Sequence, residues 1–228
     1  MTISRRLTTI TMIASLVLGA TGTASVLTFR SGQDFDLVAS ANPATPGSSD
    51  TDRTAMFERA RGKRAQADAV ATASVTCDSC SANASAVQVI YVNKAKKRTA
   101  DNVANAWSSC SNCRASSVSV QVVVVRPGTA VTARNSAFAV NAACSGCTTS
   151  AVAVQIVVVT SKHRAFSRHG RQQLEEMARE LEAQLSTGSK AARLAVTKNS
   201  SGLADIEALV RKELKPTSLK PQLTVKTG

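Results

Sequence analysis

Alternation of apolar and polar residues at period two dominates the middle of the chain. The segments DAVATASVT (68–76), NVANAWSS (102–109) and NSAFAVNAA (135–143) each alternate, the pattern of a strand with two unlike faces. After a short break the alternation resumes in SAVQV, SVSVQV and SAVAVQI, then gives way to the continuously apolar runs VIYV (89–92), VVVV (122–125) and IVVV (156–159). These runs are rich in β-branched residues and end at turn-forming or charged positions, so they too predict strands. Each break is a C-x-x-C pair, Cys77/Cys80, Cys110/Cys113 and Cys144/Cys147, followed after seven residues by Gln88, Gln121 or Gln155. The pairs recur 33 and then 34 residues apart. A mainly β fold of three tandem repeats of ~33 residues follows, spanning 68–161, with strand, cysteine turn and strand in every unit. Hairpins joined into a meander and the coils of a β-solenoid both satisfy the pattern.

Past Ser161 the period changes to 3.6. Leu174, Met177, Ala178, Leu181 and Leu185 share one helical face, with Ser167 placed as N-cap and Gly188 as terminator. A second amphipathic helix is predicted from about Leu203 to Leu214, with Ile206 and Val210 on its apolar face and Pro216 beyond it. The region 162–228 therefore reads as basic and α-helical, its helices capping the strand block or lying on a sheet, with binding at a membrane surface as the alternative. At the other end, Arg5-Arg6 precede an uncharged run from Leu7 to Phe29. Residues 1–30 read as an export leader cleaved after Ala24, or as an uncleaved anchor, since about 20 residues can cross a bilayer. Residues 31–67, with Pro43, Pro46, Gly47 and the charged MFERARGKR, read as a flexible polar spacer.

Composition changes this picture in two ways. Aromatic residues make up only 3% of the chain, so the strands are expected to pack as thin layers of Ala, Ser and Val. Formal net charge is +13, falling to +11 when Arg5 and Arg6 leave with a leader, which favours anionic surroundings. Nucleic acid is disfavoured, because no finger, helix-turn-helix or RNP-like signature accompanies the charge. An unknown protein or an anionic envelope component is the expected partner, and the product is expected to be secreted or held on the extracytoplasmic face of the membrane.

All six cysteines lie in the three pairs. In an exported chain they are expected to form disulfides. A β-turn brings its first and fourth Cα atoms within about 7 Å, so a bond within each pair fits, whereas cross-repeat bonds would close larger loops. Zinc held by two C-x-x-C knuckles and thiol exchange are the alternatives; zinc leaves one pair over, and exchange motifs usually open a helix. Gln88, Gln121 and Gln155, with Asn102, Asn105, Asn135 and Asn141, are expected to form ladders of hydrogen-bonded amides between stacked strands. No H-E-x-x-H, G-x-S-x-G, Walker or dinucleotide motif occurs, so no catalytic residue, metal ligand or cofactor is assigned.

The stretch NSAFAVNAACSGCTTSAVAVQIVVVTSK followed by FSRHGRQQLEEMARELEAQL resembles exported actinobacterial C-x-x-C/Gln β-repeat proteins of unknown function. The likeness covers about residues 68–186. It implies secretion and the repeat architecture. Some members carry a peptide zinc metalloprotease label, which would imply a zinc-dependent, peptidase-associated role for the cysteines. The expected function is a non-catalytic structural or interaction module at the cell envelope. Open β edges, in particular a bare N-terminal face near Val70 to Val75 unless the spacer folds over it, further predict self-association.

Overall fold

The computed structural model describes residues 33–61, 64–93, 97–187 and 201–228. The leader read over 1–30 and the terminator Gly188 lie outside the described residues. Eight strands wind as a β-solenoid: β1 (Gln33–Ala41), β2 (Ser49–Ala60), β3 (Arg64–Val75), β4 (Ser81–Val92), β5 (Lys97–Ser108), β6 (Arg114–Val125), β7 (Thr132–Asn141) and β8 (Thr148–Val159). Helices α1 (Arg168–Ser186) and α2 (Ser201–Leu214) and strand β9 (Ser218–Thr227) follow. Odd strands form one parallel sheet, ordered β1-β3-β5-β7. Even strands form the second, β2-β4-β6-β8, completed by β9 running antiparallel to β8. Parallel pairing of every repeat with the next selects the solenoid over the hairpin meander.

There are four turns, one more than the cysteine count suggests. The stretch read as a flexible spacer over 31–67 contains β1 and β2, in register with the second turn: Ala39 pairs with Ala71 and Met56 with Gln88. The strand block therefore extends N-terminal to residue 68, and β1 covers the face near Val70 that was expected to be bare, Val38 lying beside Val70. Its polarity follows from its position at the end of the stack. Asp50 and Asp52 occupy columns that are alanine in the next turn (Ala82 and Ala84), and there Asp52 accepts from Ser40 N–H and Asp50 from Asn42 N–H, both at 2.7 Å. Inward carboxylates on an edge strand finish an end that would otherwise template another chain. The region 162–228 is likewise not wholly helical, since β9 covers the open edge of β8.

The interior is thin because its residues are small. Ala71 and Ala73 of β3 pack with Ala82, Ala84 and Ala86 of β4, all buried, while at the opposite end Ala65 and Ala67 pack with Ile90, Val92, Val123 and Val125. The loss of alternation late in β4, β6 and β8 has a separate cause. Val87, Val89 and Tyr91, with their partners Val120, Val122, Val124, Val154, Ile156 and Val158, point away from the interior and bury against Phe166, Leu174, Ala178, Leu181, Leu185 and Ile206. A strand covered on both faces reads as a continuous apolar run. Ser167 caps α1, its side chain accepting from Gly170 N–H. The apolar face of α1 is thus spent on the second sheet, not free for a membrane surface. Arg53 of β2 clamps the same helix, giving two hydrogen bonds of 2.9 and 2.7 Å to Glu182, a carboxylate only 2% exposed.

Candidate functional site

The cysteine corners join odd strands to even ones. Cys77–Cys80, Cys110–Cys113 and Cys144–Cys147 are disulfides with Cα separations of 5.6, 6.1 and 5.9 Å, and no cysteine is free. The third residue of each corner takes a left-handed backbone: Ser79 (φ 57), Asn112 (φ 55) and Gly146 (φ 70). Thr45-Pro46-Gly47-Ser48 is the same corner without sulfur. Gly47 has φ 73, and Ser48 N–H donates to Thr45 O at 3.0 Å as Cys80 N–H does to Cys77 O at 3.3 Å. Pro followed by Gly specifies this kind of turn, which is the signal that marks the first turn in the sequence. Successive corners stack through Gly47 N–H to Asp78 O, Ser79 N–H to Ser111 O and Asn112 N–H to Ser145 O, at 2.9, 2.8 and 2.7 Å.

The fourth corner carries one extra residue, absorbed at Ala143 with φ 48. A side chain at position 146 would collide with Asn112 Oδ1, so glycine there lets the fourth corner sit close on the third. The Sγ atoms of Cys110, Cys113 and Cys147 consequently lie within 4.8 Å of one another, and Cys113 N–H points at Cys147 Sγ at 3.4 Å.

Gln88, Gln121 and Gln155 stack inside the solenoid, fully buried. Gln121 Nε2 donates to Gln88 Oε1 and Gln155 Nε2 to Gln121 Oε1, both at 2.7 Å. The same nitrogens reach across to the facing sheet, to Phe35 O, Ala67 O and Ala100 O at 2.7, 2.8 and 2.9 Å. Met56 occupies the column in the first turn. Asn102 gives a parallel rung to Asn135 Oδ1 at 2.8 Å, and Asn141 Oδ1 accepts from Ser108 Oγ at 2.7 Å. Asn105 lies elsewhere, on the outer face beside Thr72. Gln88, Gln121, Gln155 and Asn102 are fully buried interior staples, out of reach of any ligand, whereas Asn135 and Asn141 are half-buried.

Two surfaces of the described residues combine features that suit a partner. Among the described residues no helix packs on the outer face of the odd-strand sheet, and it displays Val38, Trp107, Phe138 and Val140 at 58, 37, 57 and 49% exposure. Trp107 and Val140 are register partners, and Phe138 pairs with Asn105, so three large apolar side chains form one patch on β5 and β7. A column of Asp36, Asp68, Asp101 and Arg134 crosses the same face. Burial, then Asp68 and Asp34, push the Asp36 carboxyl above the ordinary carboxylate range. The patch was not among the residues expected to be functional from the sequence, though NVANAWSS and NSAFAVNAA carry large residues on one parity of the alternation.

The second surface is the corner opposite the cysteines, where even strands end. Arg59, Arg126, Lys162, His163 and Arg164 line a notch there with Tyr91, and no carboxylate is among its lining residues. Burial raises the Tyr91 pKa, partly opposed by the Phe166 N–H that donates to its oxygen at 2.9 Å.

Comparison of the chain with protein-family models, with curated proteins and with solved structures finds no match.

Proposed function

We propose that the protein is a non-catalytic structural or interaction module of the cell envelope, exported by its N-terminal leader, which engages its partner through the outer face of the odd-strand sheet. The observation that carries this reading is the asymmetry of the two sheets. One has its outer face sealed by α1 and α2, while the other leaves Trp107, Phe138 and Val140 in water. Contiguous exposed apolar side chains with a polar and charged surround are the usual mark of an interaction surface, and aromatic anchors supply most of the energy in such contacts. Since Trp107 is the one tryptophan of the chain, its emission reports directly on that face. Titration with a purified cell-wall fraction should shift Trp107 emission to the blue, and F138S should weaken the interaction at least fivefold. Retention in the cytoplasm on fractionation, or an unchanged spectrum with wall and membrane fractions alike, would reject the reading.

A zinc-binding module is the second reading, favoured by the approach of Cys110, Cys113 and Cys147 to within 4.8 Å. A thiolate site needs those disulfides reduced. Metal analysis decides it: about one zinc per chain in protein purified without reductant, lost in C147S, would replace the first reading with the second.

A further inference from the structure

The notch at the corner opposite the cysteines gathers positive charge from three separate segments. Arg59 comes from the end of β2, Arg126 from the turn after β6, and Lys162, His163 and Arg164 from the segment leading into α1. One guanidinium group is held in place. That of Arg59 stacks 5.5 Å over the Tyr91 ring, and the Tyr91 hydroxyl is itself pinned by Phe166 N–H at 2.9 Å. Arg126 has an Nη1 atom shut off from solvent and without a hydrogen-bond partner. A buried, unpaired guanidinium nitrogen is costly, and further cations around it raise that cost. No lining residue supplies a negative charge.

An anion with several acceptor oxygens resolves both problems. It offers acceptors to the Arg126 guanidinium, and it neutralises the mutual repulsion of Arg59, Arg126, Lys162 and Arg164. Guanidinium forks match tetrahedral oxyanions in geometry and charge. We infer that this notch is a binding site for a phosphate-class anion, either free or as the headgroup of an anionic lipid or polymer. The site lies apart from the outer face of the odd-strand sheet, so its loss and the loss of partner binding at Trp107 are separable.

The test uses the full chain with its disulfides intact and inorganic phosphate as probe, by isothermal titration at low ionic strength. One phosphate per chain is expected, with R126Q and R59Q each weakening it at least tenfold. R134Q removes the same charge from the opposite sheet, where Arg134 is 74% exposed, and should change it less than twofold. Co-sedimentation with phosphatidylcholine vesicles, with and without phosphatidylglycerol, separates the sources. Capture by the anionic vesicles alone, reversed by free phosphate, identifies a headgroup; phosphate binding without capture identifies a soluble phosphate. Absence of saturable binding, or equal weakening by R126Q and R134Q, overturns the inference, the latter because it shows general charge attraction. R59Q guards against misfolding, since Arg59 is exposed at the end of β2.

Discussion

Substituting the middle rung of the glutamine ladder tests whether the buried amides hold the turns together. Gln121 is fully buried. Its Nε2 donates to Gln88 Oε1 at 2.7 Å and to Ala67 O at 2.8 Å, and its Oε1 accepts from Gln155 Nε2 at 2.7 Å. Methionine at this position keeps the length of the side chain and most of its volume, as Met56 does in the same column one turn beyond Gln88. Q121M therefore removes hydrogen bonds without opening a large cavity. Gln88 Oε1 and Ala67 O lose a donor, whereas Gln155 Nε2 keeps Ala100 O at 2.9 Å. Leaving a buried polar group unpaired costs about 1–3 kcal/mol, so Q121M should lower stability by about 2–4 kcal/mol. Q121A adds a cavity to the same losses and should cost more, by about 1–2 kcal/mol. Q88M should fall below Q121M, because Gln88 has an amide neighbour on one side only. Equilibrium urea unfolding followed by far-UV circular dichroism measures all three. If Q121M unfolds within about 0.5 kcal/mol of the parent, or is more stable, the ladder is incidental to the fold.

Two further substitutions probe the first turn of the stack. R53A strips the partner from Glu182, a carboxylate 2% exposed against the helix; because Arg53 is itself 48% exposed, the cost should be about 2 kcal/mol, below the about 3–5 of a fully buried pair, and R53A/E182L should recover most of it in the same urea assay. D36N tests the acidic column. The folded-state pKa of Asp36 is raised by burial, Asp68 and Asp34, so the penalty of ionising it is absent below the ordinary carboxylate range and grows as pH rises through the folded pKa. D36N should therefore raise the thermal midpoint at about pH 7 and leave it unchanged at about pH 3, with a smaller gain in high salt; an equal gain at both pH values would refute the electrostatic cause.

Two kinds of periodicity made the fold legible from sequence: the 3.6-residue period of the two helices and the recurrence of the strand units. Cysteine pairs, the glutamines and period-two alternation mark six of the eight solenoid strands, because each recurs on neighbouring turns in the same chemical form. The first turn is hidden because its residues serve the end of the stack. Thr45 and Ser48 stand where later turns have cysteine, Met56 stands for glutamine, and Asp50 and Asp52 stand for alanine. Only Pro46-Gly47 carries the turn signal through. Strand β9 escaped for a different reason: Lys220 and Pro221 break its pattern, and what fixes it is the free edge of β8, with Gln155 opposite Gln222 and Ile156 opposite Pro221. Proline is tolerated there because β9 is itself an edge strand. The basic notch was equally invisible, since its lining comes from residues 59, 126 and 162–164 and converges only once the repeat is wound.

The two ends of the stack bear on how such a protein meets its neighbours. Parallel strands with a regular repeat would extend indefinitely if either end presented a matching edge. At the C-terminal end β9 runs antiparallel to β8, and Thr224 Oγ1 donates to Asn135 O of β7 at 3.3 Å; the parallel register cannot continue through it on the even-strand side. At the N-terminal end another turn stacked on β1 and β2 would bury Asp50 and Asp52 more deeply, and it would have to compete for the Ser40 and Asn42 N–H groups they already hold. Burying two carboxylates costs several kcal/mol unless cations accompany them. The substitutions that obscure the first turn in the sequence are thus those that stop the stack. The even-strand edge is thus covered at one end and charged at the other, so the proposed partner would engage the outer face around Trp107 and the inferred anion the notch around Arg126.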